Sequence, residues 1–161
     1  MRGACDGVQD APLNSGSMEE SVTAIQPRIV IPDTDALWRD YLAARYRGLY
    51  LGYSLPHTCT TSELDHPRVR PGIFQKAAVI DGPGGEPLVV GGGRIDLQPN
   101  RAGGPAAQVR YFYVDGNCRR LGVGRLILEA LEAEARRAGI NHVWMEARVE
   151  AVDFYRRCGY A

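Results

Sequence analysis

Hydrophobic residues along this chain change their period several times, and each change marks a predicted element. "RIVI" at 28–31 is a short β-branched run that Pro32 closes. Leu37, Trp38, Tyr41, Leu42, Tyr46 and Leu49 then recur every three to four residues, which predicts a helix to about Arg47 with Asp33 or Thr34 as its N-cap. Prolines 56, 67 and 71 break up the next stretch, within which 60–66 reads as a short helix. "FQKAAVID" (74–81), the turn "GPGGEP" and "LVVGGGRIDL" (88–97) read as a β-hairpin, with a bulge or close backbone approach expected at glycines 91–93. "QVRYFYV" (108–114) is a strand by alternation and β propensity.

The clearest helix follows at 122–138. Val123, Leu126, Ile127, Ala130, Leu131 and Ala138 share one face, opposite Arg125, Glu129, Glu132 and Arg136, and Gly139 is placed to end it. Glu134 interrupts the apolar stripe late in the helix, where a partly solvated side chain is expected. "NHVWMEARV" (141–149) gives another strand and "EAVDFYRRCGY" (150–160) a last short helix. Strand 108–114, helix 122–138 and strand 141–149 form one βαβ unit, right-handed by rule. No internal repeat is visible.

Composition narrows the class. A chain of 161 residues is about one domain's worth. Its formal net charge of zero gives no basic excess for nucleic acid or an anionic membrane surface. No apolar run approaches the ~20 residues that span a bilayer, so a soluble protein is expected. Cys5, Cys59, Cys118 and Cys158 are scattered, as are His57, His66 and His142. That pattern suits free thiols in a reducing cytoplasm and no metal site. Residues 1–26 read as a disordered tail, with Met18 as an alternative start, ahead of a domain over 27–161.

The candidate chemistry lies in "CRRLGVGRLILEAL" (118–131). Amides 121–125 open a helix with no intrahelical partners, Gly122 and Gly124 let a ligand approach the backbone, and Arg119, Arg120 and Arg125 add charge. The spot suits a phosphate or pyrophosphate. A P-loop is excluded, because no Lys-Ser or Lys-Thr follows the glycines. A dinucleotide fingerprint is incomplete: Glu146 lies about twenty residues on, but Ile127 stands at the third glycine position and fewer than forty residues remain.

"RRLGVG" (119–124) after "YFYV", with "AVDFYRRCGY" downstream, resembles the GNAT superfamily of acyl-CoA-dependent N-acyltransferases. The resemblance implies an α/β fold: a mixed, largely antiparallel sheet with helices on both faces and a central β-α-β unit that binds acetyl-CoA. It implies an N-acetyltransferase whose amine acceptor, a small molecule or a peptide, attacks the acetyl-CoA thioester directly. Backbone groups of Phe112, Tyr113 and Val114 would meet the pantetheine arm and acyl carbonyl. The amides of Arg119, Arg120, Leu121, Gly122, Val123, Gly124 and Arg125 would hold the pyrophosphate, and strand 141–149 would splay from 108–114 to open a slot. Tyr155 stands where the family keeps the tyrosine that protonates the departing thiolate.

An attacking alkylamine must lose a proton, and Glu146 is the first candidate base with Asp115 second. Tyr50, Tyr53, His57, Glu63 and His66 fall where the resemblance places an acceptor pocket. Two departures from the family pattern stand out. Arg148 replaces an asparagine common three residues before Ala151, and two strands that the family adds after "GY" are not in this sequence. The expectation is a truncated product or a strand lent by a partner, as in a homodimer. A non-catalytic acyl-CoA-binding or partner-binding remnant is the competing reading.

Overall fold

The computed structural model describes residues 26–56 and 71–161. The tail at 1–25, the short helix read at 60–66, Cys5, Cys59, His57, Glu63 and His66 lie outside the described residues. Five strands, β1 (Arg28–Val30), β2 (Ile73–Asp81), β3 (Pro87–Gln98), β4 (Ala106–Val114) and β5 (Val143–Met145), form one sheet in chain order. Neighbours run antiparallel except β4 and β5, which are parallel. Helix α1 (Asp35–Leu49) covers one face, while α2 (Val123–Arg137) and α3 (Val152–Arg157) cover the other. This is the mixed, largely antiparallel sheet that the resemblance implies.

Local chemistry fixes the helix ends. The Thr34 hydroxyl accepts from the Leu37 amide at 3.2 Å, so Thr34 rather than Asp33 caps α1. Gly139, at φ +71°, ends α2, and the Ile140 amide donates back to Ala135. Of the α2 stripe read from the sequence, Val123, Ile127 and Leu131 are buried against β2–β4, joined by Leu128 and Ala135, whereas Leu126 and Ala138 are exposed. Each large aliphatic contributes about 1.5–3 kcal/mol by leaving water.

The glycine triplet of β3 is a close approach on both faces. A Cβ on Gly92 would lie 2.5 Å from the Tyr41 ring of α1, and one on Gly93 2.9 Å from Leu131 of α2. Both helices thus sit directly on the β3 backbone. The β3–β4 register slips between Gly92 and Arg94, as expected of a bulge, and Tyr111 opposite takes φ +51°.

Two further expectations need correction. The strand read over 141–149 is only Val143–Met145, because the chain leaves β4 after Met145 and turns through a 3-10 segment at Val149–Ala151. Glu134 is buried, not partly solvated: its carboxylate meets Lys76 Nζ of β2 at 2.6 Å and Arg137 at 2.5 Å. The apolar stripe tolerates it because a buried cation waits beneath.

Candidate active site

The site begins where strand pairing stops. Parallel pairing of β4 with β5 covers Ala107–Val143, Gln108–Trp144 and Val109–Met145, whereas β4 continues to Val114. Among the described residues, 110–114 therefore has no strand on its outer edge. The Asp115 amide donates to the Val90 carbonyl at 2.8 Å, on the β3 side. Alternation turns the amides of Val114 and Phe112 toward the open edge and that of Tyr113 toward β3. Of the three residues expected to offer backbone groups, Phe112 and Val114 face the slot. Tyr113 instead pairs with Gly92, and its buried hydroxyl donates to the Tyr41 carbonyl at 3.0 Å. Burial, with smaller contributions from Tyr41 and Asp115, holds its pKa well above the usual phenol range.

At the end of β4 the chain passes a 3-10 turn (Gly116–Cys118) and enters α2 through Gly122. Gly122 is left-handed at φ +79° with no side-chain cap, and the first helical bond runs from the Leu126 amide to its carbonyl at 3.1 Å. Amides 123–125 thus point out of the helix end without an intrahelical partner. The two glycines have different tasks. Around Gly122 no atom lies within 4 Å of a built Cβ, so its left-handed backbone is the reason for glycine there. At Gly124 the expected opening for a ligand is filled: a Cβ would stand 3.1 Å from the Phe154 ring of α3.

The arginines are also divided. Arg119 Nε donates to the Val114 carbonyl at 3.3 Å, closing the base of the slot. Arg125 donates to the Arg157 carbonyl at 3.1 Å, at the negative end of α3. Among the described residues, Arg120 is the member of the trio not tied to a carbonyl, and it stands exposed in a left-handed conformation at φ +65°.

Tyr155 lies on α3, nearly buried, with its ring centroid 5.8 Å from Phe112, 5.1 Å from Phe154 and 5.9 Å from Tyr160. It therefore flanks the strand residue whose amide faces the slot. Burial, then Cys158, pushes its pKa up to about 12, so the hydroxyl is a permanent donor at neutral pH. Glu146 is exposed just beyond β5. Asp115 is engaged by Arg47 of α1 at 3.5 Å, which leaves Glu146 the less encumbered carboxylate. Arg148 turns away from the cradle: it donates to the Tyr53 hydroxyl and the Leu49 carbonyl, both at 3.0 Å, tying the chain after β5 to the end of α1. Of the described tyrosines expected at an acceptor pocket, Tyr53 is thus held against the chain that leaves β5.

Cys118 is buried, and burial with Asp115 raises its thiol pKa, as expected of an inert thiol. Among the described residues no three His, Cys, Asp or Glu side chains converge as a metal site, and no helix is long and apolar enough to cross a membrane. A hollow of about 430 Å³ between Glu132 and Arg136 of α2 and residues 158–161 holds none of the site residues.

Sequence reasoning missed one cluster beside this slot. Arg45 of α1, Arg94 of β3 and Arg110 of β4 all place their guanidinium carbons over the Tyr111 ring, at 3.5, 4.8 and 5.4 Å from its centroid. The signal available was faint: Arg45 follows Tyr41 by four residues and so shares its buried face.

Comparison with known proteins bears on this geometry. The model of the acetyltransferase (GNAT) family matches residues 35–160. Among solved structures, an acetyltransferase of Trypanosoma brucei is 22% identical with a TM-score of 0.63, over 85% of this chain and 92% of that one. Glucosamine-6-phosphate N-acetyltransferase of Arabidopsis thaliana is 17% identical with a TM-score of 0.65, over 84% and 92%. AAC(6')-Iy, solved with the bisubstrate analogue CoA-S-monomethyl-acetylneamine, is 13% identical with a TM-score of 0.66, over 85% and 90%. At these identities the structures establish a shared fold. No curated protein sequence matches.

Proposed function

The chain belongs to the acetyltransferase (GNAT) family, and from that premise we propose that it moves an acetyl group from acetyl-CoA to a primary amine by direct attack, without a covalent enzyme intermediate. One observation carries the reading: among the described residues, the stretch of β4 with no strand on its outer edge leads through a 3-10 turn into the uncapped start of α2. A thioester with a long amide-bearing arm and a pyrophosphate matches that sequence of donors. The Phe112 and Val114 amides bind the arm and oppose the negative charge that develops on the carbonyl oxygen. Amides 123–125 and Arg120 hold the pyrophosphate. The amine nitrogen attacks the carbonyl carbon, its proton leaves through water to Glu146, and the carbon–sulfur bond breaks.

Tyr155 donates a hydrogen bond to the leaving sulfur. Its pKa of about 12 stands about 3.5 pH units above that of an alkyl thiol, at ~8.5. It therefore stabilises the thiolate without surrendering its proton outright.

Thiol release from acetyl-CoA across an amine panel, run beside thermal unfolding with acetyl-CoA, tests the proposal. Turnover with at least one amine is expected. Stabilisation without turnover supports a non-catalytic acyl-CoA-binding protein, and no stabilisation overturns both.

A further inference from the structure

The cluster around Tyr111 lies at the slot but takes no part in the chemistry above. Tyr111 immediately precedes Phe112, at the point where β4 slips out of register with β3. Arg45 and Arg94 are buried and form a platform against its ring. Asp96 of β3 is already committed to Arg94, through two contacts of 2.7 Å. Arg110 reaches the same carboxylate only at 3.8 Å, and 43% of its side chain is exposed. Its guanidinium is thus held over an aromatic face, weakly compensated and open to solvent.

Position gives the cluster its meaning. The rings of Phe112, Phe154 and Tyr155 pack on the α2 side of the slot. In the proposed reaction the acceptor is left the other side, where α1 and the Tyr111 cluster stand. Arg110 and Phe112 are two residues apart, at most about 7 Å along the strand. A group on Arg110 and an amine at the slot can therefore belong to one small molecule.

We infer that the acceptor carries an oxyanion, a carboxylate or a phosphate, a few bonds from its amine and that Arg110 binds it; this rests on the transfer reaction proposed above. Guanidinium recognises either group through paired, charge-assisted hydrogen bonds. The same charge repels a polycationic amine.

The test uses matched amines: β-alanine against β-alaninamide, and O-phosphoethanolamine against ethanolamine, with spermidine as the polycation. Rates are compared as kcat/KM per free amine. In at least one pair the anionic member is expected to be favoured by about tenfold, the size of one charged hydrogen-bonded contact. The pair that shows it distinguishes carboxylate from phosphate. Arg110→Gln should bring that pair to parity, and the exposed position of Arg110 allows the variant to fold. A preference for neutral amines or spermidine, or an unchanged ratio in Arg110→Gln, overturns the inference. Calorimetry of β-alanine and O-phosphoethanolamine with the CoA-saturated protein decides it independently of turnover. If no amine releases thiol, the transfer reading fails; anion binding lost in Arg110→Gln still upholds the anion site, and no binding to either protein overturns it.

Discussion

Replacing Glu134 by Gln should destabilise the fold by about 3 kcal/mol, and replacing Lys76 by Met by clearly less. Lys76 Nζ and Glu134 Oε1 stand 2.6 Å apart, with each side chain only 9% exposed. Glutamine keeps the shape but leaves the Lys76 ammonium buried without its counter-charge, the situation that typically costs about 3–5 kcal/mol. The lower end applies because neither side chain is wholly shut from water. In Lys76→Met the carboxylate keeps Arg137, 2.5 Å away with 63% of its side chain exposed, so about 1–2 kcal/mol is expected. Urea unfolding at pH 7 with an unchanged slope gives both numbers.

The pH dependence has a definite sign. Burial would raise the Glu134 pKa, but hydrogen bonds from Arg137 and Lys76 outweigh it and hold the group below the usual carboxylate range. Its stabilisation is present above the unfolded value of about 4.3 and fades as pH falls through the lower folded value. The gap between wild type and Glu134→Gln should therefore narrow below about pH 4. Equal losses for the two single variants, or a gap that widens in acid, would refute the argument.

Tyr155→Phe should lower kcat by about 100-fold while leaving acetyl-CoA affinity within a factor of two, measured by single-turnover rates and calorimetry. With its pKa raised to about 12, Tyr155 stays protonated through the working range. An alkaline fall in kcat below pH 10 that disappears in Tyr155→Phe would contradict that role. The raised value also makes its contribution to stability full below the unfolded pKa near 10 and lost as pH rises through about 12. Gly124→Ala gains helix propensity of up to about 1 kcal/mol but presses a methyl into Phe154, whose ring is backed by Phe112 at 5.6 Å. A net loss of about 1 kcal/mol is expected by thermal unfolding, with reduced kcat as α3 shifts. Gain of stability would show that Phe154 yields freely.

The sequence exposed those features that rest on local chemistry. Thr34, Gly139 and the helix stripes fixed where α1 and α2 run, and glycines 91–93 announced the close approach of helices to β3. Long-range compensation left no local trace. Glu134 looked like a flaw in the stripe, since the buried cation that answers it lies 58 positions earlier, on β2. Gly124 carried the spacing of a ligand-binding turn, but its missing Cβ accommodates a ring from α3. The reading of 141–149 as one strand followed β propensity, which has no means of registering that the chain leaves its partner after Met145. Arg45 was invisible for a related reason: an arginine on an amphipathic helix is ordinarily solvated, and only the tertiary fold lays this one on Tyr111.

These departures from regularity share a location. β4 loses register with β3 beside Gly92–Arg94 and loses β5 altogether beyond Val109, within the same few residues. The first irregularity brings Tyr111 and Arg110 together on the α1 side; the second bares the backbone of Phe112 and Val114. A continuous ladder would satisfy these groups and leave the sheet no slot. In the proposed reaction these two breaks supply a backbone edge for a thioester and, two residues before Phe112, a guanidinium for its acceptor. If the two sites share that origin, restoring regular pairing at Tyr111 should damage both together, whereas Arg110→Gln should touch the acceptor alone.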